Sequence, residues 1–262
     1  MKLLVKIGGT LLDAESPRRR LAAELAAVAG DGIRMVVVHG GGKQMTRFLA
    51  ERGVESRFVN GLRVTTPETL DAVLKVLAGS VNQELVAAFI AAGARAVGLS
   101  GVDAGLTEAE TMSPELGAVG RVVRANPELL ELLTSRGYVP VVACVAGDRQ
   151  GRIYNVNADQ MASACAAAYG ADRLVFLTDV PGVLGPDKQL LPVLSAADSE
   201  RLIRLGVATG GMQAKLNAAT EALRKGVREI VIASGGEPEI IQRVLAGEAV
   251  GSRLVEHRTT ND

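Results

Sequence analysis

The sequence predicts an α/β protein in which helices cover both faces of a mostly parallel sheet. Short apolar runs that suit buried strands alternate with helical segments from one end of the 262-residue chain to the other. No long linker, internal repeat or low-complexity tract interrupts this alternation. The length fits one large α/β domain, and we assign residues 1–262 to it.

The first half of the chain opens with the apolar run "LLVKI", a predicted strand at 3–7. A helix at 17–30 follows, with Pro17 at its first position and Gly30 at its end, the usual asymmetry of helices. The later segments show the same apolar runs and helical patterns. They are a strand at 34–39, a helix at 43–53, a helical pair over 67–92, a strand at 95–100 and small hairpins within 103–123.

The second half continues the alternation. The segment "ADQMASACAAAYG" (158–170) is almost wholly apolar, which predicts a buried helix. The other predicted helices are 127–137, 196–205, 211–226 and 237–246. The predicted strands are 139–146, 173–179 and 228–234.

Composition restricts the classes of partner and the compartment. The 29 Lys and Arg residues balance the 29 Asp and Glu residues, so charge gives no reason to expect a nucleic acid or an anionic membrane as partner. Cys144 and Cys165 lie in apolar contexts, which favours buried, reduced thiols. The N-terminal apolar run is too short for a signal peptide, and no stretch approaches the ~20 apolar residues of a membrane helix. We therefore expect a cytoplasmic protein.

Glycines gather where the predicted strands end. They follow strands in "VKIGG", "VVVHGGG", "GLSG" and "FLTDVPG". A single glycine after a strand is explained by turn chemistry alone. Four such strand ends point instead to a ligand, because open parallel sheets bind ligands beyond the carboxyl ends of their strands.

Three known glycine motifs do not fit. A dinucleotide fingerprint would need glycine where Met45 stands. An ATP-binding P-loop would need glycine at Val37 and Ser or Thr at Gln44. The "HGGG" of lipases would need a G-x-S-x-G elbow, but "GLSGV" ends in Val102.

The remaining candidates are cationic or amide-bearing. Lys6 lies inside an apolar strand, where it needs an anion unless the strand is at an edge and the lysine in solvent. Lys215 lies about one turn into a helix that opens with two glycines, and a cation there indicates a bound anion unless it is a surface lysine. In "YNVNAD", Asp159 follows Asn155 and Asn157, and one of the three, Asn157, could simply cap the next helix.

These motifs together resemble the N-acetylglutamate kinases of the amino-acid kinase superfamily. The segments "VKIGG", "HGGGKQM", "NGLRVT", "GYVPVVA", "YNVNADQ", "LTDVPGV" and "GGMQAK" occur in that family's order, over residues 2–255. "VKIGG" and "HGGG" mark the superfamily only, whereas "NGLRVT" with "NVNAD" is more specific. One departure is "SGVDAG" (100–105), where many relatives have Lys before the Asp and Gly directly after it.

The resemblance implies a fold, an activity and a set of site residues. The fold is a three-layer αβα sandwich on an open, roughly eight-stranded sheet, with an acyl amino acid lobe at about 1–170 and a nucleotide lobe at about 171–262. The activity is transfer of a phosphoryl group from ATP with Mg²⁺ to the side-chain carboxylate of N-acetyl-L-glutamate, a step of arginine biosynthesis, without a protein metal ligand. The implied catalytic residues are Lys6, Lys215 and Asp159. The implied substrate-binding residues are Gly41, Gly42, Arg63, Asn155 and Asn157. The implied ATP-binding residues are Gly8, Gly9, Asp179, Gly182, Leu184, Val207 and Thr209.

Two other functions remain open from the sequence. One is a related kinase that acts on another acyl group or on carrier-bound glutamate or aminoadipate, and the other is a catalytically silent nucleotide-binding regulator. Arginine-inhibited relatives carry an extra N-terminal helix, whereas here two residues precede the first predicted strand. We therefore expect a homodimer, paired through the helices at 67–92, that is insensitive to arginine.

Overall fold

The computed structural model describes residues 1–256, and its strands alternate with helices as predicted. The strands are β1 Lys2–Ile7, β2 Arg34–His39, β3 Phe58–Val59, β4 Leu62–Arg63, β5 Arg95–Ser100, β6 Thr107–Thr111, β7 Val119–Ala125, β8 Tyr138–Ala143, β9 Val145–Gly147, β10 Ile153–Val156, β11 Arg173–Thr178, β12 Val193–Ser195, β13 Glu229–Ser234 and β14 Ser252–Val255. The helices are α1 Glu15–Gly30, α2 Gly42–Ala50, α3 Pro67–Val73, α4 Asn82–Ala91, α5 Glu128–Ser135, α6 Ala158–Tyr169, α7 Ala196–Arg204, α8 Gly210–Arg224 and α9 Ile240–Leu245.

The main sheet has eight strands, as the family resemblance implied, in the order β12-β14-β13-β11-β1-β2-β8-β5. Every neighbouring pair is parallel except β13 and β14, so β12 and β14 form a reversed edge on an otherwise parallel sheet. After β1 the chain first extends the sheet through β2 and later returns to the other side of β1 with β11. The carboxyl end of β1 is therefore at a reversal of strand order, which is the usual ligand position in open α/β sheets.

Helices cover the central strands on both faces. Almost every residue of β1, β2 and β11 is buried, which requires a layer on each side of the sheet. Helices α1, α4 and α9 form one packed group, and α6, α7 and α8 form another. The predicted three-layer α/β class is confirmed, and both cysteines are buried and free, as expected.

The short strands are where the sequence prediction was incomplete. The hairpin predicted within 103–123 is present as β6 and β7, which close a small barrel with β9 and β10. The single strand predicted at 139–146 is wrong, because the chain leaves the main sheet after Ala143 and continues into the barrel at Val145. The strands β3, β4, β10, β12 and β14 were missed, since two to four residues carry too little periodicity to be recognised.

The helical pair predicted over 67–92 is one continuous helix, residues 67–91, with a π-helical segment Leu74–Val81 in its middle. By length and composition alone it could cross a membrane, since it has 25 residues and a mean hydropathy of 1.4 in its most apolar window. Core helices of soluble proteins meet the same criteria. Leu77, Leu85 and Phe89 of this helix are buried in the core.

The end of β5 gives a stability prediction. A Cβ added at Gly101 would lie 1.8 Å from Thr107 Oγ1 and 2.5 Å from the carbonyl oxygen of Val145, where the barrel meets the sheet. We expect Gly101→Ala to lower the free energy of unfolding by about 1–3 kcal/mol in urea denaturation, because the backbone must move apart. Gly30→Ala is the matched control: it meets nothing within 4 Å at the end of α1, and should be neutral or stabilise by up to about 1 kcal/mol. Equal effects of the two substitutions would contradict the crowding at Gly101.

Candidate active site

Two glycine turns meet at the carboxyl ends of β1 and β2. The amide of Gly8 donates to the carbonyl oxygen of Leu177 at 2.9 Å, and the amide of Gly40 donates to that of Ile7 at 3.1 Å. A Cβ at Gly9 would lie 2.9–3.0 Å from the backbone of Gly41 and Gly42, so the two turns are in direct contact. Only glycine at position 9 allows this approach, which explains why bare backbone is concentrated here.

A cavity of about 230 Å³ opens beside these turns. Seven of the predicted site residues line it: Lys6, Gly9, Gly41, Gly42, Arg63, Asn155 and Asn157. They come from β1, from the start of α2, from β4 and from the segment that leads into α6. The structure therefore brings the predicted substrate-binding group together, although its members are separated by up to about half the chain.

A buried ion triad lies at the floor of the site. The Nζ of Lys6 is 2.7 Å from Asp159 Oδ1, and the Nζ of Lys215 is 3.1 Å from each carboxylate oxygen of the same residue. All three residues are at most 7% exposed. The sequence left open that Lys6 lies in solvent at a sheet edge and that Lys215 is a surface lysine. The burial of both side chains excludes these two alternatives.

The triad keeps a net positive charge. Burial alone would raise the pKa of the Asp159 carboxyl, but the ammonium groups of Lys6 and Lys215 outweigh it and lower that pKa. Burial and the charge of Lys6 lower the pKa of Lys215, while Asp159 opposes this shift. One carboxylate thus holds two cations together, and their excess charge is available to an anion in the adjoining cavity.

Neighbouring side chains hold Arg63 and Asn155 in the cavity wall. Arg63 donates through Nη2 to Thr46 Oγ1 at 2.8 Å and to the carbonyl oxygen of Gly42 at 3.1 Å, and through Nη1 to Ser56 Oγ. Asn155 donates through Nδ2 to Thr65 Oγ1 at 3.0 Å. This bond uses the amide nitrogen of Asn155, so its amide oxygen remains as an acceptor.

Asn157 is also the N-cap of α6. Its Oδ1 accepts from the amides of Asp159 at 2.9 Å and Gln160 at 3.2 Å, so the capping role considered from the sequence is confirmed. The cap fixes the first turn of α6, and that turn carries Asp159 towards both lysines. Asn157 therefore positions the triad in addition to lining the cavity.

Five of the predicted nucleotide-binding residues lie around β11 and the start of α8, outside this cavity, whereas Gly8 and Gly9 follow β1 and Gly9 lines the cavity. Asp179 directly follows β11 and is exposed, and its charge reaches Lys215. Gly182 packs against Ser252, whose Oγ accepts from the amide of Val183 at 2.8 Å. Leu184 and Leu190 form an isolated antiparallel β-bridge. Thr209 is the N-cap residue of α8, the helix that carries Lys215, and Val207 lies two residues before Thr209.

A neutral histidine supports the second glycine turn. His39 is fully buried, and its Nδ1 lies 2.9 Å from the carbonyl oxygen of Gly40. Its Nε2 lies 3.0 Å from Asn82 Nδ2, which also donates to the carbonyl oxygen of Val141 at 2.9 Å. The pKa of His39 is lowered from 6.5 to about 4, chiefly by burial; the bond to Gly40 opposes this shift, and the charge of Lys6 adds to it.

Sequence reasoning did not assign these supporting residues. Asn82 and Gln44 contribute through partners far away in the chain, and Gln44 Nε2 donates to the carbonyl oxygen of Gly9 at 3.2 Å, joining the two turns. The sequence offered little signal, because Asn82 in "AGSVNQELVAAF" is followed directly by the polar residues Gln83 and Glu84. Thr65 stood inside the quoted "NGLRVT", but nothing in the sequence indicated that it would hold Asn155.

Comparison with known proteins identifies relatives of this chain. The model of the amino acid kinase family matches residues 1–234. The chain is 65% identical over 255 residues to an acetylglutamate kinase of Solibacter usitatus, covering 97% of this chain and 99% of the relative. It is 42% identical over 266 residues to an acetylglutamate kinase of Brucella anthropi, covering 97% and 90% respectively.

Solved structures share the fold. An N-acetylglutamate synthase of Neisseria gonorrhoeae, complexed with coenzyme A and N-acetyl-glutamate, matches with a TM-score of 0.87 at 24% identity. The match covers 98% of this chain and 60% of that longer one. A carbamate kinase of Giardia lamblia bound to AMP-PNP matches with a TM-score of 0.72 at 18% identity, covering 98% of both chains.

The depressed pKa of His39 predicts a pH dependence of stability. Between pH 6.5 and about 4 the unfolded chain binds a proton at His39 that the folded chain does not, so folding loses stability as the pH falls. The full loss is about 3 kcal/mol. We expect urea denaturation to show that the stability of the wild type relative to His39→Asn falls by about this amount between pH 7 and pH 4. The comparison removes the contribution of carboxylates common to both proteins, and a pH-independent difference would contradict a buried neutral imidazole.

Proposed function

The chain belongs to the amino acid kinase family, and we propose that it transfers the γ-phosphoryl group of ATP to the side-chain carboxylate of N-acetyl-L-glutamate. The product is N-acetyl-L-glutamyl 5-phosphate, an intermediate of arginine biosynthesis. The substrate assignment rests on the similarity of this chain to curated acetylglutamate kinases, which extends over nearly the whole length of both chains. The buried cations beside a glycine-lined cavity fit the reaction type.

The chemistry requires neutralisation of charge and no general base. The attacking carboxylate is already ionised at neutral pH, so no proton has to be removed from it. The difficulty is that an anion must approach an anionic phosphate. Lys6 and Lys215 stabilise the charge on the transferring group, and Asp159 holds both ammonium groups without touching the phosphate. The carboxylate oxygen forms the new P–O bond, while the bond from the γ-phosphorus to the bridging oxygen breaks and ADP leaves.

The cavity residues bind the acyl amino acid. The amides of Gly41 and Gly42 bind its α-carboxylate side, and Arg63 supplies its positive charge and a remaining N–H donor to the carboxylate. Asn155 and Asn157 bind the acetamido end. Support comes from their common position in one cavity and from the free acceptor oxygen of Asn155.

The nucleotide binds on the opposite side of Lys215. Asp179, Gly182, Leu184, Val207 and Thr209 form its platform. At the turn of Gly8 and Gly9, the amide of Gly9 donates to the phosphates, because the amide of Gly8 already bonds the carbonyl oxygen of Leu177. The Mg²⁺ ion arrives with ATP, held by phosphate oxygens and water. This division assigns the acyl amino acid to the lobe at about 1–170 and the nucleotide to the lobe at about 171–262.

We place the enzyme in the cytoplasm as a homodimer, without nucleic acid or membrane as partner. The helix at 67–91 supports self-pairing through an exposed apolar residue on its outer side, because Ile90 is 56% exposed. An exposed apolar side chain of this kind can pack against its own copy across a two-fold axis.

The activity itself is the first prediction from this proposal. With MgATP and N-acetyl-L-glutamate, the purified protein should form an acyl phosphate that hydroxylamine traps as a hydroxamate. Free glutamate, aspartate and N-succinylglutamate should react much more slowly, because Asn155 and the closed cavity read the acetamido group. Equal rates with free glutamate would contradict the substrate assignment, and a faster rate with another acyl group would move the protein to a related kinase.

The second prediction concerns Lys215. Lys215→Met keeps most of the side-chain volume but removes a cation aimed at the developing charge. We expect turnover to fall by roughly 10²–10³-fold, which corresponds to ~3–4 kcal/mol, while circular dichroism shows an intact fold. Lys225→Met, at the end of the same helix and paired on the surface with Glu221, is the control and should keep wild-type turnover. Wild-type turnover in Lys215→Met would remove this lysine from the mechanism.

A further inference from the structure

The second glycine turn has its backbone orientation fixed from inside the core. A main-chain carbonyl can only accept, so His39 must carry its proton on Nδ1 to bond Gly40. Asn82 Nδ2 donates to the carbonyl oxygen of Val141, which fixes the orientation of the Asn82 amide and makes His39 Nε2 an acceptor. The geometry therefore specifies one tautomer of one histidine.

This bond determines where the next amide points. The Gly40–Gly41 peptide is trans, so the carbonyl of Gly40 and the N–H of Gly41 point in opposite directions. The carbonyl is held by a fully buried ring, while Gly41 lines the cavity. Within residues 1–256, the amide of Gly41 donates to no backbone or side-chain acceptor. It is thus left available to an anion in the cavity.

Asn82 reaches His39 because two other features make room for it. The π-helical segment Leu74–Val81 ends immediately before Asn82, and its wider turns change the direction in which the following side chains leave the helix. A Cβ at Gly98 on β5 would lie 2.2 Å from Asn82 Oδ1, so glycine in mid-strand provides space for the Asn82 amide. The π-helical segment and the mid-strand glycine each weaken regular secondary structure locally, and each allows the contact between Asn82 and His39.

We propose that His39, anchored by Asn82, is a positioning residue that turns the Gly40 carbonyl into the core and thereby aims the amide of Gly41 at the acyl amino acid. The proposal rests on the proposed function, because it takes Gly41 as part of the substrate site. His39 does not touch the substrate or move a proton. Its effect is expected on the binding of the acyl amino acid and not on the binding of ATP.

Two substitutions of His39 separate its two hydrogen bonds. In His39→Asn, the amide nitrogen occupies the place of Nδ1 and still donates to Gly40, but the acceptor for Asn82 is lost. In His39→Gln, the amide oxygen occupies the place of Nε2 and still accepts from Asn82, but the donor to Gly40 is lost. We expect His39→Gln to raise the KM for N-acetyl-L-glutamate by about 10- to 100-fold, the range for one hydrogen bond to a charged group. His39→Asn should stay within about threefold of the wild type, and the KM for ATP should change little in both.

A packing role would give the opposite order, because Gln is closer in volume to His than Asn is. Thr134→Val is the control for loss of a buried hydrogen bond elsewhere: Thr134 bonds the carbonyl oxygen of Leu130 and Tyr169 near the amino ends of the strands. It should lower the Tm without changing either KM. Equal KM values for the two His39 variants, or a KM for ATP that rises as much as that for the acyl amino acid, would overturn the proposal.

A second measurement does not depend on activity. The chain has two histidines, so ¹⁵N NMR of the histidine-labelled wild type can assign the His39 ring, with His39→Asn identifying its signals. We expect the Nδ1–H tautomer at neutral pH, with Nε2 unprotonated. The Nε2–H tautomer would overturn the proposal even if the enzyme is active. A wild type with the expected tautomer but no kinase activity would instead overturn the proposed function.

Discussion

The buried contact of two lysines with one carboxylate is the interaction on which this site depends. Lys6, Asp159 and Lys215 come from β1, α6 and α8, so the contact forms only when the sheet and both helices are in place. Burying an ammonium or a carboxylate alone would cost several kcal/mol, and here each charge has an opposite partner within 3.1 Å. The arrangement leaves more positive than negative charge, and this imbalance prepares the site for an anionic ligand.

The backbone complements the triad with donors that carry no formal charge. The turns at Gly9 and Gly41 touch each other, and Gln44 and His39 hold them from either side. Such donors are fixed before a ligand arrives, so little reorganisation is required when charge develops. With its pKa near 4, His39 is neutral at physiological pH and is a weak base. This suits a reaction whose nucleophile is already ionised, because the site needs fixed dipoles more than a proton acceptor.

The sequence alone predicted the elements that show a clear periodic pattern, and it predicted a functional role for residues that break such a pattern. Six of the eight strands of the main sheet were recognisable as apolar runs, and Lys6 was conspicuous because a cation in such a run needs a partner. Strands such as β3 and β10 were not predictable. Their own residues show no strand pattern, and they are strands because they pair with β4 and β9. Asn82 in α4 and Gly98 in β5 were assigned no role from the sequence. Only the three-dimensional contact shows that the two residues fit each other.

Nearly every polar side chain in the cavity wall is held by a neighbour before any ligand binds. Thr46 and Ser56 fix Arg63, Thr65 fixes Asn155, and the first turn of α6 occupies the oxygen of Asn157. Each bond uses one hydrogen-bonding capacity of the residue and leaves another for the ligand, as in Asn155, whose amide oxygen stays available. Side chains ordered in advance lose little conformational entropy on binding, so more of the contact free energy appears as affinity. The same bonds restrict which atoms the wall can offer, and under the proposed function the hydrogen bonds within it would therefore contribute to substrate selectivity.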